Sequence, residues 1–354
     1  MKQNHGGDWA GYQEQYGKLP LDFSANVSPL RLPRSAREAA ARALESAARY
    51  PDPECRELRR GLAAYHGVPA ENIVCGNGAA DLIYRVCRVI RPERALVTAP
   101  GFGEYEEALR SAGCKAERFL LPEERDFALN AEGFASAVRE GADLVFLCNP
   151  NNPTGRLSTR EEMRTILEAC RAAGAVLVAD ECFMDFVDHP EKNSLTGELK
   201  AWPELVILKA FTKTYAMAGL RLGYALCGDA AFAEALRQGE QHWPVSQIAQ
   251  EAGVAALQET DYAAKLRALI SEERRRMERA LRRLGLRVIP GEANYLLFSC
   301  EDAALGEKLC ARGILLRSCA EIPGLGAGWF RTAVRTAEEN AMLIAALKEV
   351  LSGG

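Results

Sequence analysis

The chain has 354 residues, of which 48% are hydrophobic and 26% are charged, values that are ordinary for a soluble globular protein. Its formal net charge of -4, from 44 Lys and Arg against 48 Asp and Glu, gives no electrostatic reason to expect binding to nucleic acid or to an anionic membrane. No apolar run approaches the roughly 20 residues of a membrane-spanning helix, and the polar N-terminus lacks the apolar core of a signal peptide, so we expect a cytoplasmic protein.

The cysteines indicate neither a disulfide framework nor a metal site. There are 11 of them, none in a Cys-x-x-Cys pair, and the four histidines do not cluster with them. Most lie within apolar runs, so we expect small buried hydrophobic residues in a reducing compartment, and no metal in the site.

The first 30 or so residues are predicted to be irregular. An amphipathic helix at 35–49 follows, and a turn at Tyr50-Pro51-Asp52-Pro53 separates it from a second helix at 54–66. From residue 73 onward, short apolar strands alternate with helices. The predicted strands are 73–75, 95–99, 115–121, 144–148, 175–179, 205–208 and 222–227, and the predicted helices between them are 81–89, 104–112, 132–140 and 159–173.

This alternation predicts an α/β fold, with a mainly parallel seven-stranded sheet covered by helices on both faces. The length allows a smaller unit beside the large core. After residue 228 the chain turns helical, and a long charged helix is predicted at 262–284, before shorter strands and helices. We therefore divide the chain into an N-terminal segment, 1–40, that is part of the smaller unit, a large unit, 41–261, and a small α+β unit, 262–354.

The stretch from Ala210 to Tyr224, just after the strand predicted at 205–208, contains two cations in unusual places. Lys213 follows the end of a buried strand, and a buried lysine shifts its pKa readily, which suits an amine that forms a Schiff base. Arg221 lies between apolar residues, and a buried arginine pairs with phosphate or carboxylate. A surface lysine and a structural ion pair are the alternative, and these two residues alone leave it open.

Four more features follow predicted strands, at the carboxyl ends where open α/β sheets bind ligands. The glycine-rich turn at 76–80 opens a helix whose N-terminus suits a phosphate, although such turns are as often plain structure. Phe102 is suited to stacking on a planar ring, and the alternative is that it is a core residue. Asn152 is suited to donating a hydrogen bond to a phenolic oxygen, and the alternative is that it only forms a structural turn. Asp180 must be paired if it is buried, by a protonated pyridine nitrogen or by a helix N-terminus.

Taken in order, these motifs resemble the fold-type I pyridoxal-phosphate enzymes, specifically the class I/II aminotransferase group. The similar features are Gly-Asn-Gly, a strand-end aromatic, Asn-Pro-x-Gly, Asp-Glu and Lys followed by Gly-Leu-Arg-Leu-Gly-Tyr, spread over essentially the whole chain. The resemblance implies that fold and a pyridoxal 5'-phosphate cofactor. It makes Lys213 the covalent attachment point, with Asp180 at the pyridine nitrogen, Asn152 at the ring hydroxyl and Phe102 stacked on the ring.

The resemblance also implies a phosphate site and a dimer. The residues that would hold the cofactor phosphate are Gly78, Ala79, Ala80, Thr212 and Arg221. Tyr50 is similar to the tyrosine that crosses to the phosphate of the partner subunit, which implies a homodimer with shared active sites.

Two positions depart from the family pattern. Ala210 stands where a phosphate-binding serine is usual, so the phosphate loses one hydroxyl donor, a contact worth ~1 kcal/mol. Phe183 stands where a tyrosine is usual, which leaves Asn152 as the chief side-chain donor to the ring oxygen.

Within the group, the chain resembles the threonine-phosphate decarboxylases of cobalamin biosynthesis more than the related histidinol-phosphate aminotransferases. The resemblance rests on His5-Gly6-Gly7, on 22–26, on 180–186 with Phe183, and on 317–325 and 331–335. It implies a carboxy-lyase that converts L-threonine O-3-phosphate to (R)-1-amino-2-propanol O-2-phosphate. The substrate-binding residues that it implies are His5, Asn26, Asn152, Arg317, Arg331 and Arg335.

Physical chemistry favours the same substrate, because a molecule with a carboxylate and a phosphate needs several guanidinium groups to bind it. Some alternatives remain open: a surface salt bridge for Arg335, and an unstructured tail for His5. A close variant would prefer O-phosphoserine, since one methyl group discriminates by only ~1–3 kcal/mol. A histidinol-phosphate aminotransferase would need a 2-oxo acid. A non-catalytic binding protein of this fold is disfavoured by the intact set of Lys213, Asp180 and Arg221.

Overall fold

The computed structural model describes residues 6–239 and 241–353. In these ranges the helices are α1 (Trp9–Tyr16), α2 (Arg34–Ala43), α3 (Arg56–His66), α4 (Gly78–Ile90), α5 (Glu104–Ser111), α6 (Ala131–Arg139), α7 (Arg160–Ala173), α8 (Pro190–Asn193), α9 (Phe211–Thr214), α10 (Ala230–Gln238), α11 (Gln247–Leu257), α12 (Tyr262–Arg283), α13 (Leu305–Ala311) and α14 (Ala337–Leu351). The strands are β1 (Leu21–Asp22), β2 (Ile73–Gly76), β3 (Ala95–Ala99), β4 (Ala116–Leu120), β5 (Leu144–Cys148), β6 (Val176–Asp180), β7 (Leu205–Ala210), β8 (Gly223–Cys227), β9 (Arg287–Val288), β10 (Tyr295–Ser299), β11 (Ile314–Leu315), β12 (Arg317–Ser318) and β13 (Trp329–Ala333).

Seven of these strands form one large sheet, in the order β2-β8-β7-β6-β5-β3-β4. β8 runs antiparallel to both of its neighbours, and all the other pairs are parallel. Every residue of β3, β5 and β8 is buried, which is what continuous apolar strands between two helical layers require. The predicted α/β fold with a mainly parallel seven-stranded sheet is confirmed.

Local sequence signals determine where several helices begin and end. Thr159 and Glu162 form a capping box at the start of α7, which ends at Gly174 with a φ of 72°. Thr336 and Glu339 repeat the capping box at the start of α14. Such signals explain why the predicted bounds of the first of these helices, 159–173, differ from those observed for α7 by only a residue.

The smaller unit contains a four-stranded antiparallel sheet, β12-β13-β10-β9, and the N-terminal segment joins it. β1 pairs with β11 in parallel, and the backbone N–H of Ala333, at the end of β13, donates to Phe23 (2.8 Å). The predicted three-part division stays a prediction. α2 runs across its first boundary, after residue 40, and packs against α11.

The prediction that the first 30 residues are irregular is wrong for α1. The side chain of Asp8 accepts a hydrogen bond from the backbone of Gly11 (3.0 Å), and the buried Tyr12 donates its hydroxyl to the carbonyl of Cys310 (2.6 Å). A helix this short is marginal by itself, so contacts distant in sequence stabilise it, and no local periodicity signals them.

Most of the cysteines are buried, as expected from sequence: nine are buried, and Cys300 and Cys310 are part-buried. Across 6–239 and 241–353, no group of three or more His, Cys, Asp or Glu side chains could hold a metal ion. In the same part of the chain, no helix has the length and apolar character needed to cross a membrane.

A buried ion pair joins the ends of β6 and β7. Lys209, 6% exposed, has its Nζ 3.1 Å from the carboxylate of Glu181, which is 2% exposed. Glu181 also accepts hydrogen bonds from the backbone of Leu195 and the hydroxyl of Ser194, both at 2.7 Å. Burial lowers the pKa of Lys209, but the nearby carboxylates outweigh it and leave that pKa raised, so Lys209 stays protonated at neutral pH.

We predict that Lys209→Met lowers the free energy of unfolding by about 3 kcal/mol, because it leaves the Glu181 carboxylate buried without its cation. The double variant Lys209→Met/Glu181→Gln is expected to regain part of this loss, since no uncompensated charge remains. Urea unfolding of the three proteins measures both differences. Equal stability of the single and double variants would contradict the assignment.

Candidate active site

The carboxyl ends of the strands of the large sheet bring the predicted residues together. β3, β5, β6 and β7 are parallel, and β2 shares their direction because both β2 and β7 run antiparallel to β8. The residues that follow these ends therefore line one edge of the sheet. Lys213 and Asp180 follow neighbouring strands there.

Lys213 lies in α9, the short helix that follows β7, and its side chain is part-buried. Its Nζ lies 5.9 Å from the ring centre of the buried Phe183. Burial lowers the pKa of Lys213 to about 8, and the positive charges of Arg331 and Arg221 act in the same direction. A substantial fraction of this amine is therefore neutral and nucleophilic near physiological pH.

Asp180 ends β6 and is 4% exposed, with both carboxylate oxygens engaged. Tyr105 donates its hydroxyl to Oδ2 (2.7 Å), and the backbone N–H of Cys182 donates to Oδ1 (3.0 Å). Burial, together with the Asp180 charge, raises the pKa of Tyr105, so the phenol keeps its proton. These two bonds fix the orientation of the carboxylate.

Sequence analysis missed Tyr105. Its ring stacks on Phe146 of β5, with centroids 4.9 Å apart, and meets Phe102 edge-on at 5.5 Å. The sequence did contain a signal for Tyr105, because this residue falls in the first turn of the helix that follows a buried strand, three residues after Phe102. Phe102 itself is part-buried at this edge.

A cradle for an anion lies where α4 begins. Gly78, with a φ of 78°, is the first residue of α4, and the side chain of Asn77 makes no capping bond to the first turn. A Cβ on Gly78 would lie 2.6 Å from Nη2 of Arg221, and a Cβ on Gly223 would lie 2.4 Å from the backbone nitrogen of Ala79. The glycines thus allow a guanidinium and a helix N-terminus to approach each other closely, which suits a phosphate.

Arg221 is exposed in this chain, so the expectation of a buried side chain there is wrong. It lies in the turn before β8 with a φ of 59°, and its Nη1 donates to the carbonyl of Ala218 (3.2 Å). The side chain reaches the open start of α4 instead of the core, which explains its exposure. Ala79 and Ala80 occupy the first turn of α4, and the buried Thr212 precedes Lys213 in α9.

Two arginines of the smaller unit lie side by side, and one of them, Arg331, reaches Asn152. Arg317 and Arg331 are partners in the register of β12 and β13, and they are 8% and 9% exposed. Burial lowers the pKa of both, and the Arg331 charge lowers that of Arg317 further. Two buried guanidinium groups repel each other, so a bound anion would stabilise both.

Arg331 also fixes residues from other parts of the chain. It donates to Oδ1 of Asn152 (2.6 Å) and to the carbonyl of Ser24 (2.8 Å). With Oδ1 occupied, the donor that Asn152 offers a ligand is its Nδ2 group. Within the described residues, neither Nε of Arg331 nor Oδ1 of the buried Asn26 has a hydrogen-bond partner. Unpartnered polar atoms of this kind are expected where a ligand binds.

The remaining predicted residues are Tyr50, Arg335 and His5. Tyr50 is 78% exposed and stacks on Trp243, with ring centres 4.2 Å apart. Arg335 forms an ion pair with Glu339 (2.7 Å), as the salt-bridge alternative describes, and its substrate role stays a prediction. His5 lies outside the described residues.

The family model for aminotransferase class I and II matches residues 19–347. The chain belongs to this family. It is 39% identical to the threonine-phosphate decarboxylase of Salmonella typhimurium, over 99% of this chain and 97% of that protein. It is 36% identical to the histidinol-phosphate aminotransferase of Desulfitobacterium hafniense, over 93% of this chain and 91% of that one.

A solved structure supports the same conclusion. The histidinol-phosphate aminotransferase of Sinorhizobium meliloti, in complex with pyridoxal-5'-phosphate, matches with a TM-score of 0.87 and 26% identity, over 99% of this chain and 96% of that chain. The class I/II aminotransferases are pyridoxal-phosphate enzymes, and the resemblance drawn from sequence is confirmed.

The residues of this family member fit the cofactor. The cradle at Gly78 and Arg221 suits its phosphate, the buried Asp180 suits its ring nitrogen, and the low pKa of Lys213 suits attachment to its aldehyde. The individual contacts stay predictions.

We predict that Arg331→Met raises the pKa of Lys213, since it removes a positive charge that disfavours the protonated amine. The rate at which the apoprotein binds cofactor covalently would then rise with pH around a midpoint above the value of about 8 expected for the unaltered protein. Arg282→Met is the matched control, because Arg282 is an exposed arginine of α12 that is ion-paired to Glu278 (2.8 Å). The same midpoint in Arg331→Met and in the control would contradict this electrostatic account.

Proposed function

We propose that this enzyme decarboxylates L-threonine O-3-phosphate to (R)-1-amino-2-propanol O-2-phosphate, a step of cobalamin side-chain synthesis. The observation that carries the proposal is the buried pair Arg317 and Arg331, of which Arg331 is close enough to Lys213 for its charge to lower the pKa of that lysine. Two adjacent cationic forks suit a small substrate that carries both a carboxylate and a phosphate. The 39% identity to a threonine-phosphate decarboxylase supports the same choice.

In this proposal the chain's own residues bind the substrate, orient it and supply the proton that Cα receives. The cofactor, when bound, supplies an electron sink for the pair of electrons released at the substrate Cα. Arg317 and Arg331 hold the two anionic groups, which sets the rotation of the substrate and so decides which bond at Cα can break. Asp180, fixed by Tyr105, carries the negative charge that favours a protonated ring nitrogen.

Lys213 supplies the proton that completes the reaction. The bond from Cα to the carboxyl carbon breaks, CO2 leaves, and the electron pair that remains is quenched by a proton at Cα. With a pKa of about 8, Lys213 is mostly protonated at neutral pH and releases a proton readily, so its Nζ is suited to this transfer.

Transamination of histidinol phosphate is the second candidate, and the 36% identity to a histidinol-phosphate aminotransferase favours it. The same lysine and aspartate would serve both reactions. The two differ in their need for a second substrate, because transamination consumes a 2-oxo acid and decarboxylation does not. O-Phosphoserine is an alternative substrate for the decarboxylase, since it lacks only one methyl group.

A homodimer with shared sites is part of the proposal. Tyr50 and Trp243 form an exposed aromatic pair on the surface of the single chain, and large exposed aromatics favour protein interfaces. We expect Tyr50 to contact the cofactor phosphate in the partner subunit.

The test is mass spectrometry of the products after the holoenzyme is incubated with O-phospho-L-threonine and no 2-oxo acid. Catalytic formation of aminopropanol phosphate supports the decarboxylase. Unconsumed O-phosphothreonine overturns the proposal, and parallel incubations with O-phosphoserine, and with histidinol phosphate plus 2-oxoglutarate, then identify the reaction.

In the same assay we predict that Lys213→Ala lowers turnover by at least about a thousandfold, because both the attachment point and the proton donor are lost. Lys308→Ala is the matched control, since Lys308 is an exposed lysine paired with Asp302 (2.7 Å). Turnover by the Lys213→Ala protein comparable to that of the control would contradict the role of Lys213.

A further inference from the structure

A short segment near the N-terminus, residues 22–28, connects the substrate-binding arginine to the catalytic lysine. At one end, the carbonyl of Ser24 accepts a hydrogen bond from Nη2 of Arg331 (2.8 Å). At the other end, the backbone N–H of Ser28 donates to the carbonyl of Lys213 (2.9 Å). We call this segment the strap. Between these two contacts it carries Asn26, which is buried.

The carboxylate of Asp22 holds the strap in shape. Its Oδ1 accepts from the backbone N–H of Ser24 (2.7 Å), from the hydroxyl of Ser24 (2.6 Å) and from the backbone N–H of Ala25 (3.3 Å). Asp22 is buried, and its negative charge is close enough to Arg331 to favour the charged form of that guanidinium. Hydrogen bonds to a buried carboxylate are stronger than those between neutral groups, so this turn is firmly fixed.

The other oxygen of Asp22 binds the segment that precedes the strap. The indole Nε1 of Trp9, in α1, donates to Oδ2 (2.7 Å), and the backbone N–H of Gly7 donates to the hydroxyl of Ser24 (2.8 Å). Gly6 packs so closely that an added Cβ would lie 2.1 Å from the carbonyl oxygen of Ser24. This is the same carbonyl oxygen that Arg331 binds. One carboxylate therefore orders the N-terminal segment, the strap and the arginine together.

We propose that Asp22 is a positioning residue for substrate binding, acting through Ser24 on Arg331 and through the strap on Asn26. The inference rests on the proposed function, because it takes Arg331 and Asn26 to face the substrate. Asp22 touches neither Lys213 nor the cofactor residues in this account, so its loss weakens substrate binding while the bond-breaking step is largely preserved.

The test is steady-state kinetics of the holoenzyme with O-phospho-L-threonine, for wild type, Asp22→Asn and Trp9→Phe. In Asp22→Asn, an amide NH2 group replaces one of the two carboxylate oxygens and faces the N–H or O–H donors that bind that oxygen. The hydrogen bonds to that oxygen are therefore lost, together with the negative charge. We expect KM to rise about tenfold or more with kcat changed by less than about threefold. Trp9→Phe removes one donor and leaves the carboxylate, so we expect a smaller rise in KM, of about twofold to fivefold.

Asp8→Asn is the matched control, because it alters the start of the same helix α1, where asparagine caps as well as aspartate does. The control is expected to match wild type. A residue that only stabilises the fold would lower kcat, through the amount of active enzyme, and leave KM unchanged. That pattern in Asp22→Asn, or a KM equal to that of the control in both variants, would overturn the proposal.

Failure of the proposed function gives a different result. Wild type would then not turn over O-phosphothreonine, and the comparison is made with whichever of O-phosphoserine or histidinol phosphate the wild type accepts. A selective rise in KM for that substrate supports the role of Asp22, and an unchanged KM contradicts it.

Discussion

Repulsion between two buried guanidinium groups is the constraint on which the site depends. Arg317 and Arg331 are neighbours in the register of β12 and β13, nearly excluded from water, and burial lowers the pKa of each. Such an arrangement costs free energy unless anions or acceptors surround it. The acceptors that Arg331 binds, Asn152 and the carbonyl of Ser24, come from the large unit and from the N-terminal strap, so one charged group joins three parts of the chain.

The positive charge of Arg331 also affects Lys213. Besides burial, the Arg331 charge helps to lower the pKa of Lys213 to about 8, while the ion pair of Lys209 and Glu181 joins the ends of β7, which leads to Lys213, and β6, which carries Asp180. The two lysines lie only four positions apart but have opposite pKa shifts. Lys209 has carboxylates beside it, and Lys213 has guanidinium groups. This contrast suits Lys209 to a structural role and Lys213 to the role of a nucleophile.

The sequence predicted what local patterns determine. The sheet followed from apolar runs, and Lys213 and Asp180 could be placed because both follow such runs. Tyr105, α1 and the role of Asp22 were missed, because each depends on partners far along the chain: Asp180 for Tyr105, Cys310 for α1 and, through Ser24, Arg331 for Asp22. The exposure of Arg221 depends on a turn that carries it to the start of α4, which apolar neighbours in sequence do not indicate.

We propose that the buried arginine pair selects a substrate with two anionic groups. The most direct measurement is the affinity of the holoenzyme for O-phospho-L-threonine and for L-threonine, followed through the cofactor absorbance, in wild type and Arg317→Met. We expect wild type to bind O-phospho-L-threonine at least about a hundredfold more tightly than L-threonine. We expect Arg317→Met to reduce this preference to about tenfold or less. Equal affinity of wild type for the two amino acids would contradict it.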